Sequence, residues 1–237
     1  MKSLQVYPLH VGTITRPLSK FCRGLEPGIV GDLPLISWFI EGSDKRILVD
    51  TGGGDPSEVN PRWLPYRRDN DQSVENALKK VGMKCGDVDI VIVTHLHWDH
   101  CSGNKLFPNA RIIVQEDELK FARLPEAIGD CPAGIVEDVN YTVVAGDNKI
   151  ADGVEVILTP GHTWGMQGVL VQGDSKRIFI ASDTLPLFKN LATDPFEVSE
   201  MYVDLPTYRE SIKKIANLSA FILPSHDPLV LNKTFYT

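Results

Sequence analysis

The 237-residue sequence predicts an α/β protein in which two sheets pack face to face with helices outside. Three observations predict it. Apolar, β-branched runs alternate with helical periodicity in a β-α-β rhythm. Each half of the chain is strand-rich and then helical. Several predicted strands end in a potential metal ligand, and face-to-face packing would bring those ends to one edge. The 43% apolar and 23% charged content is ordinary for a globular protein, and the length suits one domain over 1–237.

The elements follow in order. Residues 2–15 read as a first strand with Leu4, Val6, Val11 and Ile14 inward. Residues 16–33 carry three Gly and two Pro and read as irregular, either a solvated linker or a pocket wall built on Phe21, Leu25 and Ile29. Leu35–Ile40 and Arg46–Val49 read as strands joined by a polar turn. Asp50-Thr51-Gly52-Gly53-Gly54 then reads as a tight turn where backbone passes close to a site, with Asp50 supporting it; no phosphate-loop lysine pattern accompanies the glycines. Asn70-Asp71-Gln72-Ser73 caps a helix on which Val74, Ala77, Leu78 and Val81 share one face, and Gly82 stops it.

Ile90–Thr94 is a buried strand that delivers His95-Leu96-His97-Trp98-Asp99-His100. In extended backbone His95, His97 and Asp99 share a face, and His100 joins them only if the chain turns there. Imidazoles and a carboxylate converging without a thiolate motif suit a hard or borderline divalent metal such as zinc. The chain has six His; three are here, His162 and His226 lie at two other strand ends, and His10 reads as structural.

Arg111–Val114 is a strand and Asp117–Arg123 a short helix. Tyr141–Val144 and Val154–Leu158 are strands separated by a turn at Gly146-Asp147-Asn148. His162 sits in the glycine-flanked loop Thr159–Gly165. A hairpin at 168–181 ends in Ser182-Asp183-Thr184. A helix from about Pro206 to Leu218 turns Tyr208, Ile212, Ile215 and Ala216 inward. Phe221–Leu223 is a last strand, ending at Ser225-His226.

Composition excludes several classes. A net charge of −7 argues against a nucleic-acid-binding surface. The N-terminus shows no apolar signal core, and no run is long enough to span a membrane, so the expected location is the cytoplasm with no membrane partner. Cys22, Cys85, Cys101 and Cys131 form no C-x-x-C pair and read as reduced thiols, with Cys101 a small buried neighbour of the His cluster.

His95-x-His97-x-Asp99-His100, Pro160-Gly161-His162-Thr163, Asp183 and Ser225-His226 together resemble the metallo-β-lactamase superfamily, from about Pro34 to the end. The resemblance implies a four-layer αβ/βα sandwich of two mixed sheets, and two divalent metal ions. His95, His97 and His162 would hold the first ion, Asp99, His100 and His226 the second, and Asp183 would bridge them together with a hydroxide. Zinc is the default, with iron, manganese or cobalt as alternatives.

The stretches Asp71-Gln72-Ser73-Val74, Ala77–Gly82 and Thr94–His100 resemble the N-acyl-homoserine-lactone lactonases, which quench quorum signals. That implies attack of the bridging hydroxide on a lactone or related small-molecule ester, with Asp99 passing the proton to the leaving alkoxide. Where those lactonases often have a Tyr that donates to the substrate carbonyl, three residues after the bridging Asp, this chain has Pro186; Tyr202 is one candidate replacement. Leu185, Leu187, Phe188, Leu191, Phe196 and Met201 read either as an acyl pocket or as a packed surface loop. The rival expectations are a thioesterase of the glyoxalase II type, a phosphodiesterase on the same site, and a non-catalytic metal-dependent sensor. The sequence leaves a homodimer open.

Overall fold

The computed structural model describes residues 4–124, 127 and 130–237. β1 (Gln5–Pro17) and β2 (Val30–Glu41) form a long antiparallel pair, extended by β3 (Ile47–Val49) beside β2 and the short β4 (Tyr66–Arg67) beside β1. β5 (Ile90–Ile92), β6 (Arg111–Gln115) and β7 (Tyr141–Val144) add to β3 in parallel. The spatial order is β4-β1-β2-β3-β5-β6-β7. The second sheet runs from β8 (Asn148–Ala151) through β9 (Val154–Leu158), β10 (Gln167–Gln172) and β11 (Arg177–Ser182), all antiparallel, to β12 (Ala220–Pro224), which is parallel to β11.

Alternation along the strands sorts the side chains into layers. Ile90 and Ile92 of β5 face the second sheet and pack with Val156, Val169, Ile178 and Ile180. Val91, between them, points the other way into a core shared with Leu78 of α1 (Val74–Lys79), Trp98 and Cys101 of α2 (Trp98–Cys101), Leu119 of α3 (Glu116–Ala122) and Ile135 of α4 (Ala133–Asp138). The outer face of the second sheet, with Ile157, Leu170 and Phe179, is covered by Tyr208, Ile212 and Ile215 of α5 (Leu205–Ala216). The layers are therefore helices, mixed sheet, mixed sheet, helix.

Several boundaries differ from the sequence reading. Residues 2–3 of the expected first strand lie outside the described residues. The strand runs on to Pro17, and a one-residue bulge between His10 and Gly12 shifts its register. Val6 therefore faces the second sheet, while Leu9, Val11 and Ile14 all face the helices. Of the supposedly irregular 16–33, residues 30–33 belong to β2 and Leu18–Lys20 form a 3-10 turn. The polar β8 sits where a turn was expected to run straight into β9, and α4 has no counterpart in the sequence reading. In α5 the fourth inward residue, with Tyr208, Ile212 and Ile215, is Ser211 rather than Ala216; its hydroxyl donates to Pro160 O at 2.6 Å, and Ala216 is exposed. Among the described residues no helix is long and apolar enough to cross a membrane.

Candidate metal centre

Four strand ends and loops meet at one edge of the seam between the sheets. β5 supplies His95 and His97. The extended reading fails at Trp98, where α2 begins, so Asp99 leaves the face of His95 and His97 and joins His100 on a helical turn. That turn is what brings His100 back toward His95, with ring centroids 4.1 Å apart. The second sheet supplies His162 from the β9–β10 loop, Asp183 after β11 and His226 after β12. The ligand atoms fall into three interlocking groups, each within 4.8 Å: His95, His97 and His162; His95, His100 and Asp183; Asp99, His100 and His226.

Hydrogen bonds on the far side of each ring fix which nitrogen faces inward. His162 Nδ1 donates to Met201 O at 2.8 Å, and His226 Nδ1 to Pro34 O at 2.9 Å. A carbonyl can only accept, so both Nε2 atoms of the neutral rings carry lone pairs. Thr94 Oγ1 donates to Asp50 Oδ2 (2.8 Å) and so accepts from His95 Nδ1 (3.2 Å), leaving His95 Nε2 a lone pair as well. His95 Nε2 and His162 Nε2 both face His97 Nδ1, at 3.1 and 3.0 Å. One proton cannot serve both contacts, whereas a cation at their centre satisfies all three nitrogens. On the other side, the buried Nε2 atoms of His100 and His226 have no hydrogen-bond partner, although Asp183 Oδ1 lies 3.3 and 3.0 Å away. This donor set fits two divalent ions.

Charge and burial add to the picture. Burial, reinforced by the neighbouring imidazoles, pushes His95 and His97 well below the usual imidazole range. Burial also opposes a charge on His100 and His226, but the Asp183 and Asp99 carboxylates together outweigh it, with Asp50 adding at His100, and hold both above that range. Burial lifts the Asp99 carboxyl. Burial disfavours charge on Asp183 too, yet His226 and His100 keep its carboxyl well below the carboxylate range. A metal must displace the protons held on His100 and His226. Affinity at that half of the centre is therefore expected to weaken as pH falls, starting above about pH 6.5, the ordinary imidazole value. His95 and His97, kept neutral by burial, should make affinity at the other half depend on pH less. Divalent-ion titrations across that range, read with a competing chromogenic chelator, check this; equal pH slopes for the two ions would count against it.

The backbone around the ligands is tightly held. Asp50, in the left-handed region at φ 59°, accepts from Thr94 N, Thr94 Oγ1 and His100 Nδ1, each at 2.8 Å. Ser225 Oγ donates to Asp183 Oδ1 at 2.7 Å, and the Tyr208 hydroxyl lies 3.0 and 2.8 Å from the Asp183 and Thr184 carbonyls. Pro186 O accepts from His226 N at 2.9 Å. Gly161 has φ 134° and packs so closely on α5 that a Cβ there would lie 2.3 Å from Tyr208 Cα. The sequence reading named Asp50 as support but missed Thr94, Tyr208 and Glu118, because their partners lie far away in the chain. Cys101 is buried, its thiol donates to Leu96 O at 3.4 Å, and burial pushes its pKa well up, so it is neither nucleophile nor ligand. His10 contacts Thr13 and Gln72, away from the centre.

A cavity of about 480 Å³ opens on His97, Asp99, His162 and Asp183. Two larger hollows, of about 530 and 650 Å³, touch none of the seven clustered residues. The walls of the first are mainly apolar, with Ile14, Phe21, Trp63, Trp98, Phe121 and Met201. Residues 16–33 thus contribute a pocket wall, through Arg16, Pro17, Lys20 and Phe21. Of the apolar residues expected between 184 and 203, Met201 alone lines it. Leu185 lies in the core under α5 with Leu191 and Phe196 packed against it, Leu187 joins the core of the helical layer, and Phe188 packs on the core between the sheets. Lys20 is paired with Glu200 at 3.0 Å, and Asp130 with Arg62. Arg16 donates to three main-chain carbonyls, those of Thr15, Trp63 and Leu64. Tyr202 lines the same cavity and is 40% exposed.

Comparison with known proteins agrees with this geometry. Residues 31–226 match the family described as the metallo-beta-lactamase superfamily. An N-acyl homoserine lactonase from a Bacillus species is 36% identical over 159 residues, covering 62% of each chain, so the chain spans less than two thirds of that relative's length. One from Bacillus cereus is 32% identical over 187 residues, covering 74% of this chain and 73% of the relative. A crystal structure of a Bacillus thuringiensis AiiA variant with N-decanoyl-L-homoserine at its active site superposes with a TM-score of 0.83 at 27% identity, covering 97% of this chain and 95% of that one.

Proposed function

The chain belongs to the metallo-beta-lactamase superfamily, and from that premise we propose that it is a two-metal hydrolase that opens N-acyl homoserine lactones. The observation that carries the reading is the convergence of seven His and Asp residues on one spot, with two orphaned buried imidazole nitrogens among them. We assign His95, His97 and His162 to the first ion, Asp99, His100 and His226 to the second, and Asp183 to both. Zinc is the ion we propose, since imidazole and carboxylate donors suit it. The relatives named as lactonases, and N-decanoyl-L-homoserine in one of them, support the substrate class. So does the cavity, whose size and apolar walls suit an acyl-bearing small molecule.

Bound at this centre, divalent ions would polarise the lactone carbonyl and supply a water acidic enough to attack it near neutral pH. The chain's own groups do the rest. Apolar walls hold the acyl chain and exclude bulk water from the carbonyl. Asp99, whose side chain is 12% exposed at the cavity floor, takes the proton from the attacking water and returns it to the alkoxide released when the ring C–O bond breaks. Tyr202 is the phenol available to donate to the substrate carbonyl. All seven ligands come from one chain, so a homodimer is not required to complete the site, and 1–237 acts as one domain. The negative net charge fits a small-molecule substrate better than a nucleic acid. The four free cysteines fit a cytoplasmic location.

The test pairs metal content per chain with hydrolysis of an N-acyl homoserine lactone, a thioester and bis-nitrophenyl phosphate, before and after chelation. Close to two ions and chelator-sensitive lactone opening are expected. Two ions with thioester or phosphodiester turnover and no lactone opening would move the substrate to those classes. Fewer than one tightly bound ion after reconstitution would sink the site assignment.

A further inference from the structure

Glu118 is fully buried, and among the described residues no ion pair accounts for it. It lies in the first turn of α3, and its two oxygens are spent on two different loops. Oε1 accepts from Leu96 N at 2.8 Å, and Oε2 accepts from Gly165 N at 3.0 Å. Leu96 stands between His95 and His97. Gly165 stands three residues after His162. The first loop leaves β5 of one sheet, and the second joins β9 to β10 of the other. The carboxylate therefore bridges the two segments that carry the three imidazoles of one half of the centre.

We propose that Glu118 is a positioning residue that sets the His95–His97–His162 geometry by tying the two ligand loops to α3. The inference rests on reading those three imidazoles as the ligands of one ion. The fit is close. Gly165 sits so near the start of α3 that a Cβ would lie 2.1 Å from Glu118 N, so no other residue lets that amide reach the carboxylate without moving the loop. The partners are main-chain N–H groups with no other acceptor in place, and a carboxylate is the short side chain that offers two acceptors and no donor. An amide in its place would turn an NH2 against an N–H and release one loop. Burying a carboxylate is costly unless it is fully hydrogen-bonded. That cost is incurred where two ligand segments must be registered, and Glu118 touches neither the ligand atoms nor the cavity.

The test is Glu118→Gln, titrated with zinc against a chromogenic chelator so that the two binding steps are resolved. The expected result is one ion bound at least about tenfold more weakly and the other unchanged, the size typical of losing a group that orients a ligand. A cobalt-loaded sample should show an altered absorption band for the weakened site alone. Two unchanged affinities, or equal weakening of both ions alongside a lower melting temperature of the metal-free chain, overturns the proposal. Should the variant fail to fold, amide exchange in the wild-type chain decides. Leu96 and Gly165 amides are expected to be as protected without metal as with it, because their acceptor is a side chain; rapid exchange in the metal-free chain overturns the tether. Uptake of two ions by the wild type keeps the two-metal reading standing whatever Glu118→Gln does.

Discussion

Asp183→Ala is expected to lower kcat/KM on a lactone by at least about a thousandfold while leaving the chain folded. The carboxylate stands between the two triads, with Oδ1 3.0 Å from His226 Nε2 and 3.3 Å from His100 Nε2, and Oδ2 3.5 Å from His162 Nε2. Under the proposed assignment it would neutralise both ions at once, so without it one ion is expected to leave. Metal-assisted charge stabilisation is worth several kcal/mol, and each 1.36 kcal/mol is tenfold in rate, so about 4 kcal/mol gives the thousandfold figure. The local backbone should survive, because the Tyr208 hydroxyl holds the Asp183 and Thr184 carbonyls whatever the side chain is. Lactone kinetics, metal content and circular dichroism on one preparation check the three parts. A folded variant with wild-type turnover would remove Asp183 from the mechanism.

Asp50→Ala is expected to act on stability as strongly as Asp183→Ala acts on rate. Asp50 is 2% exposed and is the acceptor for three buried donors from Thr94 and His100. Removing one partner of a buried hydrogen bond costs about 1–3 kcal/mol. With three donors partly re-satisfied, the loss is about 3–6 kcal/mol, a large share of the roughly 5–15 kcal/mol that holds a typical domain together. The left-handed backbone at φ 59° adds to the penalty, since Asp tolerates that region better than Ala. The expected fall in melting temperature is roughly 10–20 °C for a chain of this size. Thermal unfolding monitored by circular dichroism measures it. A shift under about 3 °C would mean that water or another group replaces the carboxylate.

Contiguity decides what was legible in the sequence. The His95–His100 cluster could be read because its ligands are adjacent, and the layers could be read because Ile90-Val91-Ile92 has the pattern of a strand buried on both faces. The pattern carries no sign of where the backbone turns, so Asp99 was placed on the strand face until α2 turned it away. Apolar composition does not separate a pocket wall from a core, which is why, of the six apolar residues expected to line a pocket between 184 and 203, Met201 alone does so. Polar β8 has no hydrophobic alternation to betray it. Glu118 and Tyr208 are structural partners across 22 to 47 residues and 24 to 25 residues respectively, and such ties leave no local mark.

The seam between the sheets carries its own polar stitching. Gln167 N donates to Thr94 O (3.0 Å), Gln167 Nε2 to Val93 O (2.8 Å), and Gln115 Nε2 to Gln167 Oε1 (2.9 Å), while Thr94 and Ser182 hydroxyls meet at 2.8 Å. Apolar surfaces alone can slide past one another with little loss of contact area, but these bonds exist at one offset only. The two halves of the chain are thereby locked like the blades of a pivot, and the ligands contributed by each arrive at a common level before any ion is present. Sliding one half against the other would break these bonds together and carry the His95–His100 group away from His162, Asp183 and His226.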